Sequence, residues 1–224
     1  MSALATRFLD AQLAGDRREA LRLALEEGLA RGAKPEDIHM FVVGASQREI
    51  GRLWQENRIT VAEEHQATAI SQVVLAHVFP HFARSPRLGR SVLVACVEGE
   101  LHDMAARIAS DILDAAGFDV RFLGASVPTD ELLKMLRAKP VDALALSVTM
   151  TFHLSMVRQA VAAVRAACGP GLPILVGGEA VVATPPLSPD DRVFISRGSA
   201  RDLVRTLRFA VGLSEVSGEE EVMT

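Results

Sequence analysis

The feature that most constrains this chain is a change in the spacing of its apolar residues, which falls between residues 83 and 90. Before it, apolar residues recur at helical intervals. Phe8, Leu9 and Leu13 form one stripe, Ala20, Leu21, Leu25 and Leu29 a second, and Phe41, Val42, Ala45 and Ile50 a third. Breaks fall at Gly15-Asp16, from Gly32 to Pro35 and from Asn57 to Thr60. Pro35 suits a first helical position, and Glu36 and Asp37 follow it where the helix dipole favours acids. Thr60 with Glu63 reads as a capping box opening the last helix. Helices joined by short loops predict a four-helix bundle over residues 1–84.

Residues 83–90 carry Pro86 and three arginines without periodicity, which suits a domain boundary. Beyond them, short β-type runs alternate with helical ones: 91–97 then 103–116, 119–123 then 129–138, 143–148 then 154–167. Runs at 173–176 and 193–196 complete the strands, and 200–211 is the last helix. Gly117 and Gly169 stand where helix C-terminal caps are expected. This alternation predicts an α/β domain over residues 90–213. Its expected form is Rossmann-like (flavodoxin-like), with a doubly wound five-stranded parallel sheet covered on both faces. Ligands of such sheets bind beyond the carboxyl ends of the strands, at a topological switch point. Residues 214–224, with Glu219, Glu220 and Glu221 in a row, read as a solvated acidic tail.

The formal charge of −4 and pI near 5.9 argue against nucleic acid as the main partner, because phosphate binding needs a basic face. No apolar run approaches the roughly 20 residues of a membrane span. The stretch from Met1 to Asp16 lacks the parts of a signal peptide. Cys96 and Cys168 are too few for a disulfide framework and lack CxxC spacing. The expectation is a soluble, cytoplasmic protein with no membrane and no direct nucleic acid partner.

Three expected strand ends carry small or polar residues. Glu100-Leu101-His102-Asp103-Met104-Ala105 follows the first strand, Ser147-Val148-Thr149 ends another after residues 106–146, and Gly177-Gly178 comes after residues 150–176. Together they resemble the cobalamin-binding domain shared by methionine synthase, corrinoid methyltransferases and the B12-dependent mutases. The stretch from Ala116 to Gly124, with Val127-Pro128, is similar to that family's second strand and its exit, so the resemblance covers residues 90–212. It implies that His102 supplies cobalt's lower axial nitrogen, with Asp103 and Met104 in the same cofactor loop. Glu100 would hold the other ring nitrogen, which fixes the tautomer and raises basicity. Ser147 and Thr149 would hydrogen-bond the buried nucleotide tail, Gly177 and Gly178 would let backbone approach it, and His153 lies near enough to line the pocket. Two positions depart from the family: Glu100 replaces Asp, and Ala105 replaces Gly. The plainer alternative for His102 is a surface histidine opening a helix.

In the helical half, nine residues separate Trp54 from Glu64-His65. This signature resembles the light-sensing, adenosylcobalamin-dependent regulators of the CarH type, in which the tryptophan shields the adenosyl group above cobalt and the Glu-His pair contacts it. The bundle would then cap the upper face of the corrin. Residues alone also allow Trp54 as core, Glu64 as a dipole residue and His65 as a solvent-facing ring. Those regulators carry a winged-helix DNA-binding domain, whereas this chain begins at the bundle, and Gln55 stands where they have a histidine after the tryptophan. Related stand-alone photoreceptors bind a linear tetrapyrrole as a second chromophore, although no residue here marks such a site.

Of the other histidines, His39 is expected on a helix surface. His77 and His81, at i and i+4, are either structural or a candidate metal pair. Cys96 reads as a buried strand residue. No substrate barrel, nucleophile triad or phosphate loop is visible. The expected function is therefore a cobalamin-binding sensory module, an adenosylcobalamin-dependent photoreceptor signalling through light-triggered Co–C cleavage. It is expected to act as a homo-oligomer or with an unknown protein partner. The rivals are a corrinoid carrier subunit of a methyltransferase or mutase system, and a cobalamin storage or delivery protein.

Overall fold

The structure, a computed structural model, describes residues 2–183, 192–196 and 198–214. The acidic-tail expectation falls, beyond Ser214, outside the described residues. The fold divides into two compact units, the first over Met1–Ala83 and the second from Arg84 onward.

In the first unit, α1 (Ala3–Leu13) is capped by Ser2, whose side chain accepts from the Ala5 N–H. α2 (Arg17–Arg22) opens on Asp16 in the same way and runs on through a π segment, Leu23–Gly28, and a 3-10 turn, Leu29–Arg31. α3 (Pro35–Asp37) starts on its proline and leads through a second π segment, Ile38–Val43, into α4 (Gly44–Gln55). Asn57, at φ 56, ends α4 in a left-handed turn that asparagine tolerates. The Arg58 N–H then reaches back to the Leu53 carbonyl at 2.8 Å. α5 (Val61–Val78) follows the capping box: Thr60 N–H donates to Glu63 Oε2 at 2.7 Å, and Glu63 N–H to Thr60 Oγ1 at 3.2 Å. The rods bury Phe8, Leu23, Ile50, Ala67 and Val74 between them.

The second π segment overturns two sequence expectations. Its i→i+5 bonding lengthens the turn by a residue, so side chains rotate away from where a 3.6 period puts them. Phe41, assigned to the inner stripe, is 59% exposed. His39, expected at the surface, is fully buried with its ring edge-on to Phe82 at 4.9 Å.

The second unit alternates strictly: β1 (Ser91–Cys96), α6 (Met104–Ala115), β2 (Asp119–Phe122), α7 (Thr129–Ala138), β3 (Ala143–Ser147), α8 (Leu154–Cys168), β4 (Ile174–Gly177), α9 (Glu179–Ala183), β5 (Val193–Ile195) and α10 (Ala200–Ala210). All pairings are parallel, in the order β2-β1-β3-β4-β5, the flavodoxin-like doubly wound sheet. Alternate residues Leu93, Ala95 and Val97, with Leu144 and Leu146, pack on one face against Leu132 and Leu136 of α7 and Val157, Ala160 and Val164 of α8. α6 and α10 pack against one another, and they contact β1, β2 and β5. Gly117, at φ +95, turns from α6 into β2 where a Cβ would run into the Pro86 carbonyl oxygen, so the end of the linker is seated on this turn. The short helix α9 has no signal in the apolar pattern.

Candidate functional site

Parallel register brings the three strand-end segments together. Cys96 pairs with Ser147, and Ser147 with Gly177, so the ends of β1, β3 and β4 lie in one row. β1 and β3 are the strands between which the sheet order reverses. The loop after β1 is stapled to its neighbours. Glu100 N–H closes a turn on the Val97 carbonyl at 3.0 Å, Ser126 N–H donates to the Glu100 carbonyl at 2.8 Å, and Gly99 N–H donates to Ser126 Oγ at 3.1 Å. Ser126 adopts φ 48, an uncommon conformation for a non-glycine residue. Sequence reading missed this residue, since a lone serine in a turn carries no signal.

Glu100 is the centre of the site. Its side chain is fully buried and receives five donors. Oε1 accepts from the His102 backbone N–H at 3.0 Å and from His102 Nδ1 at 2.5 Å. Oε2 accepts from the N–H groups of Thr149 and Met150, each at 2.9 Å, and from His153 Nδ1 at 3.2 Å. Burial alone would raise this carboxyl, but the hydrogen bonds from His102, Met150 and His153 outweigh it and hold the acid well below the usual carboxylate range. One carboxylate thus spans the loops after β1 and β3. An ionised Glu100 accepting from Nδ1–H puts His102 in the tautomer whose Nε2 carries a lone pair. The His102 side chain is 43% exposed, so a bound group has access to the ring.

The Cys96 thiol is pushed up to about 12 by burial and by the nearby carboxylates of Asp103 and Glu100. It therefore stays protonated and faces the His102 carbonyl at 3.7 Å. The Ser147 hydroxyl lies beside that thiol, a weak partner, and is buried without a hydrogen bond of ordinary geometry. Buried polar atoms are normally satisfied, so an unsatisfied hydroxyl in this row suits a bound group with polar atoms of its own. A Cβ at Gly177 would meet nothing closer than Ser196 Cβ at 3.8 Å, so the fold does not need glycine there. Gly178 is different. At φ +107 its Cβ would collide with the Val148 backbone, so this glycine is set by the fold and not only by approach to a ligand. Thr149 contributes its backbone N–H to Glu100. Asp103 sits before α6 as an ion-pair partner of Arg107 at 3.8 Å, and Met104 is buried at the start of that helix. Leu101 and Phe152 flank the site as exposed apolar side chains.

In the helical unit, Trp54 ends α4 and Glu64-His65 begins α5, on either side of one short turn. His65 Nδ1 donates to Glu64 Oε2 at 2.5 Å, and Thr68 Oγ1 donates to Glu64 Oε1 at 2.8 Å. Glu63 closes the capping box, and Glu64 also lies in the first turn of α5, where the helix dipole favours an acid. His77 Nδ1 bonds the Val73 carbonyl at 2.8 Å. Among the described residues, no group of three or more His, Cys, Asp or Glu side chains could hold a metal ion. No helix among them is long and apolar enough to cross a membrane.

A B12 binding domain family model matches residues 90–208, just over half of the chain, and a second B12 binding domain model matches residues 4–78. The HTH-type transcriptional repressor CarH of Myxococcus xanthus is 31% identical over 134 residues, 59% of this chain and 44% of that protein. Dimethylamine corrinoid protein 1 of Methanosarcina acetivorans is 27% identical over 142 residues, 62% of this chain and 65% of that protein. The matches thus span less than two thirds of these relatives' length. The structure of the Methanosarcina barkeri monomethylamine corrinoid protein is similar with a TM-score of 0.71 at 17% identity, covering 90% of this chain and 95% of that one, a likeness of fold. With the family model spanning strands, loops and the Glu100–His102 pair alike, the chain belongs to the B12-binding domain family and is a cobalamin-binding protein.

Proposed function

We propose that this chain is an adenosylcobalamin-dependent light sensor in which His102 is the lower axial ligand and Trp54, Glu64 and His65 form the upper face. The observation that carries the upper-face assignment is the Glu64 carboxylate. It is held by Thr68 at 2.8 Å and bonded to His65 at 2.5 Å, at the same turn as Trp54. A methyl group above cobalt offers no hydrogen-bond donor or acceptor for such a pair, whereas an adenosyl group offers several. When bound, adenosylcobalamin supplies a weak cobalt–carbon bond that visible light cleaves.

The chain's own residues do the rest. Glu100 fixes the His102 tautomer and ring direction, so that Nε2 would be the atom offered to cobalt. Ser147 would hydrogen-bond the buried nucleotide tail, with Gly177 leaving space beside it. Trp54 would cover the adenine, excluding water. These residues would hold and shield the cofactor. The second reading is a corrinoid methyl carrier, favoured by the similarity to dimethylamine corrinoid proteins.

The test is a set of absorption spectra of the protein with adenosylcobalamin and with methylcobalamin, each before and after green light. The sensor reading expects tighter binding of adenosylcobalamin and a clean light-driven spectral change. Aromatic contact with adenine is worth about 1–3 kcal/mol, roughly tenfold to a hundredfold in affinity. Equal affinities would return the protein to the methyl carriers. His102→Ala should remove the base-off, His-on spectrum, and an unchanged spectrum in that variant would refute the lower-ligand assignment.

A further inference from the structure

The bundle core contains a line of polar side chains that the apolar packing does not need. Gln12 of α1 is fully buried, and its Nε2 donates to the Ala67 carbonyl at 3.0 Å and to Ser71 Oγ at 2.6 Å. Gln12 Oε1 is buried without a partner, a desolvation cost that leucine or methionine would not carry. Ser71 Oγ lies 2.8 Å from the Gln47 amide, Gln47 lies 3.0 Å from Thr68 Oγ1, and Thr68 Oγ1 lies 2.8 Å from Glu64 Oε1. The line then continues through Glu64 Oε2 to His65 Nδ1 at 2.5 Å. It joins α1, α4 and α5, and it ends on the exposed histidine, 75% of whose side chain faces solvent.

The direction of the hydrogen bonds is decided by counting protons. With Gln47 Nε2 turned toward Ser71, that hydroxyl accepts two N–H groups. The single proton of Thr68 then faces two acceptors, Gln47 Oε1 and Glu64 Oε1. An amide's nitrogen and oxygen are told apart by such networks. With the Gln47 amide reversed, each bond along the line from Gln12 Nε2 to Glu64 pairs one donor with one acceptor. Gln12 donates to Ser71, Ser71 to Gln47 Oε1, Gln47 to Thr68, and Thr68 to Glu64. All the dipoles then run one way, each bond strengthening the next, and all end on the Glu64 carboxylate.

We propose that Gln12, Ser71, Gln47 and Thr68 are positioning residues. They fix the Glu64 carboxylate and through it hold the His65 ring in the Nδ1–H tautomer. The bundle then presents a rigid pair, a carboxylate and a lone-pair nitrogen at His65 Nε2, to an upper ligand bearing hydroxyl and amine groups. That pair, more than aromatic cover alone, selects a nucleoside over a methyl group. The selection half of this inference rests on the upper-face reading above; the positioning half does not.

The test uses the full chain with Thr68→Val, which keeps the β-branched shape and removes the hydroxyl, with Thr68→Ser as the rescue and Gln47→Met as a second cut in the line. The first readout is the ring-nitrogen NMR of His65 without cofactor. Thr68→Val and Gln47→Met should shift and broaden the Nδ1–H signal, and Thr68→Ser should restore it. The second readout is the ratio of adenosylcobalamin to methylcobalamin affinity. It should fall roughly tenfold in both cut variants, as expected for loosening a charge-assisted hydrogen bond. An unmoved His65 signal in both variants overturns the positioning line. A moved signal with an unchanged ratio overturns its part in selection. If the unmodified protein shows no preference at all while the His65 signal moves, the upper-face reading fails and the positioning line stands.

Discussion

Glu100 carries the chemistry of the lower site, and its behaviour with pH is a residue-scale consequence. Burial works to raise its folded-state carboxyl, but the hydrogen bonds from His102, Met150 and His153 hold it below the ordinary value of about 4.3. A group depressed in this way stabilises the fold above its unfolded value, and that stabilisation is lost as pH falls through and below it. Urea unfolding of the cofactor-free protein should therefore show stability falling steeply below about pH 4.3. Glu100→Gln should flatten that acid limb and cost about 2 kcal/mol at pH 7, because buried N–H groups lose an ionised acceptor. Identical pH profiles for the two proteins would mean that the five-donor arrangement does not persist in solution. The Glu-x-His spacing was legible in the sequence, as was the place of His153 near the strand end, but its bond to Glu100 was not. His153 reaches Glu100 only because the chain turns through residues 151–153 before α8.

At the scale of elements, the end of β4 separates what the fold demands from what a ligand demands. Gly178 lies at φ +107 against the Val148 backbone, so Gly178→Ala should destabilise the cofactor-free protein by about 1–3 kcal/mol. Gly177 has room for a Cβ, so Gly177→Ala should leave the melting temperature of the cofactor-free protein unchanged. The added methyl group would instead occupy space beside Ser147, and cobalamin retention should weaken by roughly tenfold. Melting curves and cofactor dialysis read the two effects separately. If both variants melt alike and retain cofactor alike, the division between the two glycines is wrong. The helices offer a matching case. Capping boxes and prolines announce where α3 and α5 begin, whereas the π segment Ile38–Val43 has no local signature, and it exchanges the positions of His39 and Phe41.

For the whole molecule, the sensor reading requires the dark and lit states to differ in more than colour. A ligand biases two conformations only through contacts it makes differently with each. In the dark Trp54, Glu64 and His65 would be held by the adenosyl group, and in the light those contacts would be gone. Self-association or grip on a partner should then change. Gel filtration and small-angle scattering of the adenosylcobalamin complex, dark and lit, should give different sizes. Unchanged size and shape after spectroscopically complete photolysis would sink the global switch and leave a local one.

The sequence by itself determined the two periods, the alternation of strand and helix and the three strand-end segments, because each is written in local spacing and in residues with strong conformational demands. Pro35, Thr60 with Glu63, Gly117 and the alternation of strand and helix need no distant partner to be read. Only the tertiary structure decided which polar groups share a proton. Glu100 meets Met150 and His153, and Gln12 meets Ser71, through contacts between residues far apart in the chain. Such contacts depend on register and on which face of a helix turns inward. A hydrogen bond changes little in the spacing of apolar residues, so a buried line of glutamine, serine and threonine looks, in the sequence, like ordinary interruptions of a stripe.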